Sequence, residues 1–132
     1  MTTTYLHERI EAARRGLMHV HRALIDAERL RYERVHGRVE GAGRLLQLVI
    51  NDPAFAWVRP LSSLIVRMDT LLAEEGTLDA GEVDALIEHA RRHLRPDAAG
   101  GEFARLYDRA IQESPDVVLA HGAALSLLES VH

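Results

Sequence analysis

The chain has 132 residues, a net charge of −4, 47% apolar and 27% charged residues, which is the size and composition of one globular domain. It contains no Cys, which excludes thiol nucleophiles, disulfides and iron–sulfur clusters. All sixteen basic residues are Arg, so a Schiff-base lysine and a phosphate-loop lysine are excluded as well.

The charge is unevenly spread along the chain. Residues 9–44 carry nine Arg against five acids, whereas residues 45–132 carry seven Arg against fourteen acids. The acidic second half argues against nucleic-acid binding, because neutralising phosphates needs a surface excess of positive charge. The first residues lack the apolar stretch of a signal peptide, and no apolar run approaches the roughly 20 residues of a membrane helix. We therefore expect a cytoplasmic protein without membrane contact.

Every long segment has the apolar period of a helix, and none alternates as a strand does. The first helix is predicted from about Thr4 to His36, and Gly37 ends it. Gly16 within it predicts a local weakness, since glycine costs about 1 kcal/mol relative to alanine. Its apolar residues recur at spacings of three and four, as expected for one buried face: Leu6, Ile10, Ala13, Leu17, Val20 and Leu24.

A second, strongly apolar helix is predicted over residues 44–51, and two proline-containing helix starts follow it. Asp52 caps a short turn that begins at Pro53, and a second proline opens a third helix that ends at Gly76. Between the two prolines lie Phe55 and Trp57, the only tryptophan. We predict that this corner segment, residues 52–60, closes over the core.

Three further helices complete the chain. Asp79 is the predicted N-cap of a fourth helix, because Glu82 three residues on completes a capping box, and this helix continues to about residue 95. A fifth helix is predicted over residues 102–112 and a sixth from Pro115 to about Ser130. The sequence thus predicts an all-α fold with one domain over residues 1–132. The domain is a helical bundle of five main helices plus a short one, with a long N-terminal helix.

Two faces carry more apolar residues than one small bundle can bury. The sixth helix is apolar nearly all round, and Val66 lies opposite the apolar stripe of the third helix. Forming a homodimer is the commonest way to cover such a surplus. We therefore predict a homodimer that buries the sixth helix or the outer face of the third.

Polar residues on the inner face of the first helix mark a candidate ligand-binding pocket. Glu28 falls on that face, and a buried carboxylate needs a partner. Arg59 of the corner segment is the predicted partner, since Arg binds carboxylates through two hydrogen bonds. One interpretation is a salt bridge that fixes the corner; the other is a pocket. The pocket residues are His21, Glu28, Tyr32, Trp57 and Arg59, with His121 from the sixth helix, although a satisfied core histidine is the favoured interpretation of His121.

Eight histidines raise the question of a metal or haem site. His89 and His93 are four residues apart on the fourth helix, the spacing of two ligands on one face, and Glu82 lies on the same flank. However, the segment lacks the general base of an H-E-x-x-H motif, and both histidines lie beside the core stripe. A metal site at these three residues is therefore the minor alternative, and we expect no cofactor.

Three stretches together resemble a widespread family of small, uncharacterised bacterial all-helical proteins: HRALIDAERLRYERVHG, LLQLVINDPAFAWVRPLSSLIVRMD and SPDVVLAHGAAL. The resemblance covers most of the chain, and its most specific part is the central stretch. It implies a bacterial, single-domain helical protein. It carries over no activity and no catalytic residue.

The missing Lys, Cys and nucleophile motifs, together with the surplus apolar surface, favour a non-enzymatic function. We expect a module that dimerises and binds a protein partner in regulation or in a stress response. The alternative is a small-molecule or cofactor pocket in the bundle near Trp57 and Arg59. A metal-dependent enzyme and a helix-turn-helix DNA reader come third and fourth, the latter because the second half of the chain is acidic.

Overall fold

The structure is a computed structural model that describes residues 3–74 and 76–129. Within those residues it consists of helices without any strand, so the predicted all-α fold is confirmed. No described helix combines the length and the apolar character needed to cross a membrane. The helices are α1 (Thr3–His36), α2 (Ala42–Asn51), a 3-10 helix in the corner segment (Pro53–Val58), α3 (Arg59–Ala73), α4 (Ala80–His93), α5 (Glu102–Glu113) and α6 (Pro115–Glu129).

Most helix ends lie within two residues of the predicted positions, and the end of α3 differs more. The helix stops at Ala73, where the backbone turns extended at Glu74, and Gly76 with its φ of 99° forms the turn that follows. Asp79 caps α4 as predicted, and its carboxylate accepts a hydrogen bond from the N–H of Gly81 at 2.9 Å. The predicted end of the sixth helix at Ser130 lies outside the described residues.

α1 is the central helix of the bundle. Its six predicted stripe residues are all buried, with no more than 2% of any residue exposed. They pack against α3, α4, α6 and the corner segment, and the contact with α6 is the most extensive between any two helices in the described part of the chain. A single long helix thus provides one wall of the core for four of the six other helical elements.

Gly16 lies where α1 and α6 touch. A Cβ added to Gly16 would lie 3.0 Å from the Cα and 3.3 Å from the Cβ of Ala124. α1 continues unbroken through this glycine, and its missing Cβ allows the close packing of α1 on α6. The local weakness expected from glycine stays a prediction.

We expect Gly16→Ala to destabilise the protein by about 1–3 kcal/mol, because the crowded atom belongs to a helix backbone that cannot rotate away. Gly122 of α6 is the control, since it is exposed and a Cβ there meets nothing within 4 Å. Gly122→Ala should stabilise by about 0.5–1 kcal/mol, the usual gain in helix propensity. Urea unfolding measures both variants, and equal stabilisation by the two substitutions would show that α6 does not press on Gly16.

The corner segment closes over the core as predicted. Asp52 caps its 3-10 helix by accepting from the N–H of Ala54 at 2.9 Å, and both Phe55 and Trp57 are buried. The Trp57 ring lies 5.4 Å from the ring of Phe103 in α5, measured between centroids. The corner therefore joins α1 to α5, two helices that are far apart in the sequence.

Candidate functional site

Glu28 of α1 is the one charged residue, among those the structure describes, whose side chain is buried. Its Oε1 accepts a hydrogen bond from the indole Nε1 of Trp57 at 2.9 Å. The same oxygen accepts a second bond from the guanidinium of Arg109 in α5. One carboxylate thus ties together α1, the corner segment and α5.

The predicted ion pair between Glu28 and Arg59 is wrong. Arg59 begins α3, its side chain is exposed, and its guanidinium donates to the backbone carbonyl of Ile50 at 2.6 Å. The helical turn of the corner directs Trp57 toward α1 and leaves Arg59, two residues later, on the outside. Arg109 of α5 pairs with Glu28 instead. The sequence feature that could have indicated it is its position beside the apolar residues of α5.

The buried carboxylate lies in the wall of an open groove of about 380 Å³. We call it the corner groove, because α1, the corner segment and α5 form its sides. Its lining residues are Glu28, Arg31, Tyr32, Val35, His36, Pro53, Ala54, Trp57, Glu102, Leu106 and Arg109.

The structure brings together half of the predicted pocket residues. Glu28, Tyr32 and Trp57 line the corner groove, whereas the other three lie elsewhere. His21 contacts the hydroxyl of Ser62 in α3 at 2.8 Å through its Nε2. His121 of α6 lies outside the groove, and Arg59 faces solvent.

His121 is a satisfied histidine, as the favoured interpretation expected. Its Nδ1 lies 2.7 Å from the hydroxyl of Tyr107, a tyrosine of α5 that is completely buried. Burial raises the pKa of Tyr107 and lowers that of His121, so both groups are held neutral. The pair links α5 to α6 and does not open on the corner groove.

Charges in the corner groove are mostly paired. Arg31 donates to both carboxylate oxygens of Glu113 at 2.7 Å, and Arg109 is paired with Glu28. Glu102 forms no ion pair with any residue in the described ranges. The charge left unpaired on the groove is therefore negative, because Glu28 is already paired with a guanidinium and Glu102 is not.

The metal alternative at Glu82, His89 and His93 is not assembled. Nδ1 of His89 lies 3.4 Å from the guanidinium of Arg67, and His93 stacks on Phe103 with ring centroids 4.0 Å apart. A guanidinium beside one histidine and an aromatic ring against the other leave no shared position for a cation. Within residues 3–74 and 76–129, no three His, Asp or Glu side chains lie close enough to hold a metal ion.

Burial lowers the pKa of His21 and of His93, with repulsion from His89 adding to the shift of His93. Each histidine has a pKa of about 6.5 in the unfolded chain and a lower pKa in the folded chain. The unfolded chain therefore binds the proton more readily. The stability from keeping these rings neutral is therefore complete above that pH and is lost as the pH falls through about 6.5 toward the folded pKa.

We expect the free energy of unfolding to decrease between about pH 7.5 and pH 5.5, since these histidines must charge as the pH falls. The variant His21→Gln/His93→Gln should show a shallower decrease, and the exposed His19→Gln should retain the full one. Urea unfolding across this range measures the slope. The same slope in the double variant and the unmodified protein would show that His21 and His93 do not cause the pH dependence.

A second candidate site is an apolar surface on α1 and α2. α2 packs mainly on the corner segment and buries only Leu48, so its other leucines, its valine and its isoleucine are partly or largely exposed. Leu46 and Ile50, four residues apart on one helix face, are 59% and 56% exposed. We call this the α1–α2 surface; its members are Met18, Ile25, Leu45, Leu46, Val49 and Ile50.

Exposed apolar residues also occur on α3 and α6. Val66 of α3 is exposed, and so are Val118 and Leu119 of α6. On α3 the exposed valine is surrounded by exposed polar residues, and the rest of α6 packs along α1. Neither face gathers as many apolar side chains as the α1–α2 surface.

No family model, curated protein or solved structure is similar enough to the chain to count as a relative. The resemblance to small bacterial helical proteins therefore stays a prediction. A function has to be argued from the surfaces of the molecule itself.

Proposed function

We propose that the protein is a non-enzymatic helical module that forms a homodimer through its α1–α2 surface and binds a protein partner in that form. The observation that supports this most is the outward face of α2, where Leu46 and Ile50 are more than half exposed and Leu46 lines one groove with Met18 of α1. Contiguous apolar surface of this kind marks an interaction site, whereas single exposed apolar residues are normal on any protein.

A second copy of the chain is the occupant that the charges favour. Arg22 and Asp26 border the groove between α1 and α2, with opposite charges one helical turn apart. Arg22 forms no ion pair within the described ranges, and Asp26 lies 4.0 Å from Arg29 at the limit of one. In a two-fold dimer, any contact between two different residues occurs twice, once in each direction. Arg22 of each copy can therefore pair with Asp26 of the other while the apolar residues cover one another.

A protein partner is the second half of the proposal. Val66, Val118 and Leu119 remain exposed when the α1–α2 surface is covered, and they lie on α3 and α6. These residues supply small apolar contact points for another protein. We propose a regulatory or stress-related role for this interaction.

The substitution Leu46→Asp should weaken dimerisation by about 30-fold or more, the loss expected for a central apolar interface residue. Sedimentation over a range of concentrations measures the dissociation constant. Val66→Asp is the matched control, because it introduces the same charge at an equally exposed position outside the surface, and it should leave the constant unchanged. Dissociation by Val66→Asp with none by Leu46→Asp would place the interface on α3 instead.

A further inference from the structure

We propose that the corner groove is a binding site for a small organic amine. The protonated nitrogen would bind the free carboxylate oxygen of Glu28, and the apolar body would lie against Trp57 and Leu106. This inference does not depend on the proposed dimer, because the corner groove and the α1–α2 surface have no residue in common.

The free oxygen of Glu28 is the first reason. Trp57 and Arg109 both donate to Oε1, and no donor in residues 3–74 and 76–129 bonds Oε2. The side chain is 6% exposed, and it lies in the wall of the groove. A carboxylate accepts several hydrogen bonds, so Glu28 retains acceptor capacity that a donor in the groove can use.

The balance of charge identifies that molecule as a cation. Both arginines of the groove are already bound to carboxylates, Arg31 to Glu113 and Arg109 to Glu28. Glu102, at the start of α5, forms no ion pair in the described ranges and also lines the groove. Nε of Arg109 has no hydrogen-bond partner, but that atom is buried. An anion in the groove would therefore meet no unpaired arginine, whereas an ammonium group meets one free carboxylate oxygen and one unpaired carboxylate.

The apolar lining and the volume set the size of the ligand. Trp57, Leu106 and Tyr32 provide apolar wall, and Val35 is 78% exposed at the rim. The space of about 380 Å³ lies at the small end of ligand pockets, which hold about 300–1,000 Å³. The groove therefore suits an amine with one aromatic or short aliphatic group rather than a large cofactor.

Phenethylamine is the test probe, with 3-phenylpropionate and 2-phenylethanol as its anionic and neutral counterparts. The readout is the indole N–H resonance of Trp57, the only one in the chain, whose hydrogen donates to the carboxylate in question. We expect saturable shifts with phenethylamine at least about tenfold tighter than with either counterpart, the margin of one charge-assisted hydrogen bond. Equal or tighter binding of the carboxylate, or no saturation by the amine up to about 10 mM, would overturn the proposal.

Three exposed substitutions test the position of the site without disturbing the core. Ala54→Phe fills the groove and should weaken amine binding about tenfold or more, while Ala123→Phe on α6, outside the groove, should leave it unchanged. Glu102→Gln should weaken binding about threefold, as expected for loss of an exposed charge. Undiminished binding in Ala54→Phe would show that the amine binds elsewhere and would overturn the assignment to this groove.

Discussion

Arg109→Leu is expected to lower the free energy of unfolding by about 3–5 kcal/mol, the cost of removing one partner of a buried ion pair. The substitution leaves the Glu28 carboxylate, with only 6% of its side chain exposed, bound to the Trp57 N–H alone. Glu28→Gln should cost less, about 1–2 kcal/mol, because glutamine still accepts from Trp57. Arg109, whose side chain is one-third exposed, can meanwhile turn to water.

The large cost expected for Arg109→Leu distinguishes the buried ion pair from an ordinary surface ion pair. Arg31→Leu is the control, since it breaks the exposed pair with Glu113 and should cost less than about 1 kcal/mol. The double variant Glu28→Gln/Arg109→Leu should cost less than the sum of its single variants. Additive effects, or equal costs for Arg109→Leu and Arg31→Leu in urea unfolding, would show that Glu28 does not depend on Arg109.

Trp57→Ala is expected to destabilise the protein by about 3–5 kcal/mol, as truncation of a large core residue does. Trp57 is 7% exposed and packs against Phe103, so its removal leaves a cavity between α1 and α5. Trp57→Phe should cost only about 1–2 kcal/mol, because it keeps most of the ring volume and loses the hydrogen bond to Glu28.

Fluorescence and urea unfolding together check the structural role of Trp57. The emission of the folded protein should be blue-shifted and should move to longer wavelength when the protein unfolds. Red-shifted emission of the folded protein, with a near-neutral Trp57→Ala variant, would show instead that Trp57 is an exposed binding residue.

The sequence predicts those features that depend on local spacing. The stripe of α1 follows from the helical period, and the closed corner follows from Asp52 and the two prolines. The burial of Glu28 follows because it continues the apolar face of the same helix. Each of these depends on residues within a few turns of one another, so no knowledge of the packed bundle is needed.

The partner of Glu28 could not be predicted in the same way. Arg109 lies 81 residues away, and it reaches Glu28 only because the corner segment packs on both α1 and α5. Arg59 is closer in sequence, but the helical turn of the corner directs it outward. Which arginine meets a buried carboxylate is decided by helix packing, for which the sequence pattern of either helix alone gives no distance.

The outward face of α2 is a second feature that could not be predicted from the sequence pattern. An apolar helix with little polar surface is ordinarily predicted to be buried on all sides. α2 is short and lies between the turn at Gly41, with its φ of 84°, and the cap at Asp52. It packs mainly on the corner segment, so Leu46 and Ile50 face solvent, and the surplus apolar surface lies there rather than on α6 alone.

The distance between two spin labels, one on each copy, tests the proposed dimer most directly. The chain has no Cys, so a single cysteine introduced at exposed Gln47 of α2 carries the only label, and Ser126 of α6 serves as the comparison position. Packed helices lie about 10 Å apart, so the label at position 47 should give a distance of about 20–30 Å, shorter than that from position 126. No dipolar coupling at either position, or a shorter distance from position 126, would contradict a dimer formed through the α1–α2 surface.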